Sequence, residues 1–111
     1  VLNPILTVDQ VGQTCRFSFT VRNQTEKPLS LTFNTTQRFD YLIKDESGQK
    51  KEQFSDSHLF GQMVSTLTLK PDESLHYKGT LPKLEPGHYQ ITFWLSDDHY
   101  KSKIQQNFVV N

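Results

Sequence analysis

The chain has 111 residues, 34% of them apolar, with eight Phe, four Tyr and one Trp, and its 12 basic residues balance its 12 acidic ones. That length suits a single domain, 1–111, built on one shared core, and an aromatic-rich composition of this kind excludes a disordered chain. Balanced charge supplies no global field for nucleic acid or an anionic membrane, so partner choice falls to local shape.

One cysteine, Cys15, excludes an internal disulfide and suits a reducing compartment without requiring one. No apolar run approaches the roughly 18–20 residues of a membrane helix, so direct membrane insertion is not expected. No signal peptide opens the chain. It begins with Val1 rather than Met, as a domain cut from a longer chain would.

Residues 1–8 are apolar but interrupted by Pro4, which lacks the donor a central ladder needs, so an edge strand is expected. From 14 to 22, Cys15, Phe17, Phe19 and Val21 alternate with Arg16, Ser18, Thr20 and Arg22, the pattern of a half-buried strand. Polar residues turn the chain at 23–28. Leu29, Leu31 and Phe33 restart the alternation, so 14–22 and 29–33 read as a hairpin.

Beyond a polar loop at 34–38 comes a strand at 39–44, then the turn Asp45-Glu46-Ser47-Gly48. An exposed polar strand is predicted at 49–54. The stretch 55–61 is the least strand-like and predicts one helical turn capped by Ser or Asp. Strands at 64–69 and 74–79 flank Lys70-Pro71-Asp72-Glu73, and 80–87 leads into the strand that organises the fold. There Tyr89, Ile91, Phe93 and Leu95 line one face, while His88, Gln90, Thr92 and Trp94 line the other. Tyr89, three residues after Pro86, sits where a tyrosine corner sends its OH to backbone upstream. A turn at 96–99 and a strand at 103–110 close the chain. The sum is an all-β, immunoglobulin-like antiparallel β-sandwich of about eight strands. If every strand reverses direction, loops 23–27, 45–48, 70–73 and 96–100 gather at one end, and 34–38, 55–63 and 80–87 at the other.

The reactive residue types show little organised chemistry. His58, His76, His88 and His99 are 18, 12 and 11 residues apart, without the close pairing of a structural zinc site, so no metal is expected. Asp97-Asp98-His99 reads as a turn that bonds its own backbone. Asp45-Glu46-Ser47-Gly48 lacks the later Glu of a calcium loop. Cys15 shares the period of Phe17 and Phe19 and points into the core rather than acting as a nucleophile. No Gly-x-Ser-x-Gly elbow or Gly-rich phosphate loop occurs. No catalytic residue and no cofactor is therefore expected. Asn23-Gln24-Thr25 and Asn34-Thr35-Thr36 match the glycosylation pattern, which matters only in a eukaryotic secretory setting.

Several pieces in order carry a family resemblance: Val21-Arg22-Asn23-Gln24-Thr25, Leu29-Ser30-Leu31-Thr32-Phe33, Thr36-Gln37-Arg38-Phe39-Asp40-Tyr41, Lys44-Asp45-Glu46-Ser47-Gly48, Phe54-Ser55 with Phe60 and Gln62, Leu67-Thr68-Leu69-Lys70-Pro71-Asp72-Glu73-Ser74 and Leu84-Glu85-Pro86-Gly87-His88-Tyr89. Across roughly 21–95 the chain resembles the intracellular proteinase inhibitor family, BsuPI, of bacterial β-sandwich domains. It departs from the usual pattern at Thr36, where the family favours glycine, and at Lys51-Glu52-Gln53-Phe54-Ser55, where it favours aromatic residues.

The resemblance implies a non-enzymatic domain that inhibits a subtilisin-type serine protease by laying an exposed loop across its cleft. The expected contacts lie in the two loops that the family motifs flank: Asn34, Thr35, Thr36, Gln37 and Arg38 in one, and Asp56, His58 and Leu59 in the other. Phe39, Phe54 and Phe60 are expected to pin those loops to the core. The compartment is left open by the residues themselves: the resemblance implies the cytoplasm, and a domain excised from a longer chain would be extracellular or surface-anchored. The alternative is a structural or adhesive protein-interaction module of a larger secreted or surface-anchored bacterial protein. Oligomeric state has no signature in the sequence.

Overall fold

The computed structural model describes residues 2–111; Val1, the first residue of the predicted edge strand, lies outside them. Among the described residues nine strands follow one another: β1 (Leu2–Val11), β2 (Thr14–Asn23), β3 (Leu29–Phe33), β4 (Phe39–Asp45), β5 (Lys50–Gln53), β6 (Ser65–Leu69), β7 (Ser74–Thr80), β8 (Gly87–Leu95) and β9 (Ile104–Val110). They form sheets ordered β1-β2-β7, β3-β6 and β5-β4-β8-β9, all antiparallel. The architecture is the expected sandwich, with β1 at a sheet edge and β8 between β4 and β9.

Period-two alternation builds the core. Phe17, Phe19 and Val21 of β2 face Ile91, Phe93 and Leu95 of β8, and all are buried. Phe93 ties the two sheets together, with its ring centroid 5.0 Å from Phe17 and 4.5 Å from Phe19. Such tilted ring pairs add to the burial of apolar area. Tyr89 forms the tyrosine corner, its OH donating to the Glu85 carbonyl at 2.5 Å.

Two sequence expectations fail for one reason. Strand β2 pairs with β1 and β7, not with β3, so 14–22 and 29–33 are not a hairpin. Instead β3 and β4 run in succession along one arm of a long hairpin, and β5 and β6 along the other. The ladder runs from Leu29↔Leu69 to Phe33↔Ser65, opens, and resumes from Leu42↔Gln53 to Lys44↔Lys50 before the turn at 45–49. Direction is thus kept across 34–38 and across 54–64, and strict reversal does not hold. That continuity is what lets β4 lie antiparallel to β8.

The loops regroup accordingly. Loops 34–38 and 54–64 do meet, but part-way along the hairpin rather than at an end. Loop 96–100 joins them, since Ser96 N–H donates to Arg38 O at 3.0 Å. Loop 45–48 shares a groove with Pro86, Gly87 and His88 instead. The predicted helical turn is a 3-10 turn at Phe54–Asp56, and no side chain caps it. Here the chain leaves the ladder.

Candidate functional site

The opening in the long hairpin is built from Asp40 outward. Asp40 is buried, and its carboxylate accepts from the N–H groups of Tyr41 at 2.9 Å and Ser55 at 3.1 Å and from Gln53 Nε2 at 3.2 Å. A buried carboxylate is tolerable only when so bonded. These contacts fix where the 3-10 turn begins and place the Phe54 ring against Phe39 at 4.7 Å and Tyr41 at 5.4 Å. Phe39 in turn packs on Phe17, Tyr77 and Phe93. Burial pushes the Tyr41 phenol up to about 12, with Glu52 and Asp40 adding to the effect.

On that base stands the segment 57–64. His58 stacks on Phe54 at 4.0 Å, and its Nδ1–H donates to the Phe54 carbonyl at 2.7 Å. A carbonyl only accepts, so this bond sets the ring tautomer. Phe60, half-buried, joins the same ring cluster, 5.9 Å from Phe54. Gly61 is tied across the opening by two bonds: Thr36 N–H donates to Gly61 O at 3.0 Å, and Gly61 N–H donates to Thr36 Oγ1 at 2.9 Å. Between these anchors Leu59 is wholly exposed, at 102% of its reference area. Its peptide groups and those of Phe60 form no hydrogen bond with the described residues. Met63 and Val64, further on, are 61% and 69% exposed.

The facing loop braces this one. Arg38 is half-buried; it donates to Thr35 O at 3.0 Å and Ser65 Oγ at 3.1 Å, and its guanidinium lies 4.6 Å over the Phe33 ring. Gln37 donates to Phe39 O at 2.9 Å, and its own N–H is held by Thr35 Oγ1 at 3.1 Å. Asp56 pairs with Lys50 at 2.7 Å in an exposed ion pair. Of the eight residues singled out from the sequence, Thr35, Thr36, Gln37 and Arg38 are engaged in holding the opening, and Asn34 is exposed beside them. Asp56, His58 and Leu59 lie across from them.

Asp97 is the supporting residue that sequence reasoning placed in a mere turn. It is 1% exposed, its Oδ1 accepts from His99 and Tyr100 N–H at 2.8 Å each, and its Oδ2 accepts from Thr32 N–H at 2.6 Å. The first two bonds are the local ones expected. The third staples the β8–β9 loop to β3, beside the opening. Burial pushes this carboxyl up, but the N–H groups of Thr32, Tyr100 and His99 and the His99 charge outweigh it and hold it below its ordinary value.

Among the described residues no group of three or more His, Cys, Asp or Glu is placed to hold a metal ion. Cys15 is buried, and burial, with Asp9, pushes its thiol up, away from the reactive thiolate. No helix of the described residues is long and apolar enough to cross a membrane. Asn23, which opens one of the two glycosylation patterns, is wholly buried, with its amide donating to Lys27 O and Leu69 O and accepting from Thr25.

The sandwich thus holds one apolar side chain, Leu59, out from an irregular segment that is braced on both sides. The chain belongs to the intracellular proteinase inhibitor family, BsuPI, whose model matches residues 2–100. A comparison with curated proteins finds no match to the chain. Among solved structures, it is similar to β-glucosidase 3B from Thermotoga neapolitana, with 16% identity and a TM-score of 0.56 over 100% of this chain and 16% of that one. It is also similar to the GH3 β-glucosidase of Bifidobacterium adolescentis, with 12% identity and a TM-score of 0.54 over 99% of this chain and 17% of that one. The chain thus spans about a sixth of the length of those enzymes, and at such identities the likeness shows the fold alone.

Proposed function

We propose that this chain is a non-enzymatic inhibitor of a subtilisin-type serine protease and that it binds through the segment 57–61. The observation that carries this reading is Leu59, fully exposed between His58 and Gly61, which are each fixed to the body of the sandwich. Family membership supplies the protease as partner. An exposed loop loses little entropy on docking when its ends are already held. The unpaired main chain of Leu59 and Phe60 is free to add to the edge of a protease cleft.

Within this reading the eight residues divide by task. His58 and Leu59 contact the protease, with Asp56 and Asn34 at the rim of the contact. Thr35, Thr36, Gln37 and Arg38 position the loop. One apolar cluster shared by all three sheets supports treating 1–111 as one domain, and the family description supports the cytoplasm as its compartment.

The test compares two variants in a subtilisin-type inhibition assay. Replacing His58, Leu59 and Phe60 by Ala abolishes inhibition. Replacing Glu46 and Ser47 by Ala, at the hairpin turn, leaves it unchanged. Both retain the wild-type circular dichroism spectrum. Equal inhibition by both variants would refute the assignment.

A further inference from the structure

The segment 57–61 carries information about the partner's specificity as well as its class. Building on the inhibitor reading, we infer that Leu59 enters the primary specificity pocket of the protease, that Leu59–Phe60 is the bond laid at the catalytic serine, and that the partner selects a large aliphatic residue on the acyl side of the bond it cleaves.

Exposure singles out the residue. A leucine held fully in water forgoes the burial that a side chain of this size normally gains. Of the other exposed positions from 57 to 62, Ser57, Gly61 and Gln62 offer no apolar side chain and the His58 ring is stacked on Phe54, while Met63 and Val64 are each partly covered. Charge agrees with size. The nearby acid, Asp56, is already paired with Lys50, so the loop presents a neutral apolar group and does not suit a pocket that selects a cation.

The anchors explain how such a bond survives. In acylation the serine Oγ bonds to the Leu59 carbonyl carbon, the bond to the Phe60 nitrogen breaks, and that nitrogen leaves as an amine after accepting a proton. In an ordinary substrate the amine diffuses away and water completes hydrolysis. Here Phe60 stays packed on Phe54, and Gly61 stays tied to Thr36. The amine therefore remains beside the acyl carbon, attacks it, re-forms the peptide and releases the serine, aided by the high effective concentration of a held neighbour.

The experiment measures inhibition constants of wild type, Leu59→Ala and Leu59→Lys against a subtilisin-type protease and trypsin, with thermal melting to show that each variant is folded. Leu59→Ala is expected to weaken subtilisin-type inhibition at least about 30-fold, as for a central interface anchor. Leu59→Lys loses that target and gains trypsin. Long incubation of wild type with protease, quenched in acid and read by mass spectrometry, shows a single nick between Leu59 and Phe60. Wild-type inhibition that is indifferent to both substitutions, or a nick at Met63–Val64, would overturn this inference and leave the inhibitor reading standing. A folded wild type that inhibits neither protease would overturn both.

Discussion

Asn23, Asp40 and Asp97 are the buried polar residues among those described, and each commits its side chain to a main-chain donor or acceptor of another segment. Asp97 offers the clearest test, because ionisation is part of its work. Its carboxyl is held below its ordinary value of 3.8, so it binds a proton less readily folded than unfolded. Its contribution is present above that value and is lost as pH falls through the lowered folded value. Asp97→Asn removes the charge and one acceptor, and is expected to destabilise the fold at pH 7 by about 2 kcal/mol, as for a hydrogen bond to a charged group. Urea unfolding between about pH 2 and 7 would show the wild type losing stability at the acid end while the variant changes less there; parallel curves would count against the staple. The local half of this site was legible in Asp97-Asp98-His99, since Asp bonding to the next residues is a property of turns. The bond to Thr32 was not, because it joins positions 65 residues apart.

At the scale of elements, the strands themselves were readable wherever apolar and polar residues alternate, as in β2 and β8. Pairing was less so. Nothing in Leu29-Ser30-Leu31-Thr32-Phe33 distinguishes a partner at 14–22 from one at 65–69, since either would bury the same face. The long hairpin emerges only once Thr36 and Gly61 are seen to bridge its opening. Another contact invisible in sequence lies at Gly79 on the edge strand β7. A Cβ added there would sit 3.0 Å from two ring atoms of Phe17, and that ring is wedged among Phe39, Tyr41 and Phe93. Gly79→Ala is therefore expected to destabilise by about 1–3 kcal/mol through overpacking. A denaturant midpoint equal to that of the wild type would show that the ring has room to move.

For the molecule as a whole, the sandwich serves as a rigid frame for one irregular segment. The positions of the two loops were readable from the family motifs, yet which of their side chains the fold engages and which it leaves exposed was not. Arg38 looks like a binding residue in sequence, being charged and in a loop; in the fold its guanidinium is taken up by Thr35, Ser65 and the Phe33 ring. Leu59 has the apolar character of a core residue and is instead fully exposed. Rigid support on both sides of an exposed residue is what separates an inhibitor from a substrate, because the cleaved ends stay in place. The most direct measurement of that claim is an active-site titration: increasing amounts of the domain added to a fixed concentration of a subtilisin-type protease, followed by gel analysis of the domain. The account predicts a linear fall in activity to an end point at one domain per protease, with the domain intact over the minutes of the titration and nicked on long incubation only at Leu59–Phe60. Undiminished protease activity, or steady digestion of a folded domain at 57–64, would contradict it.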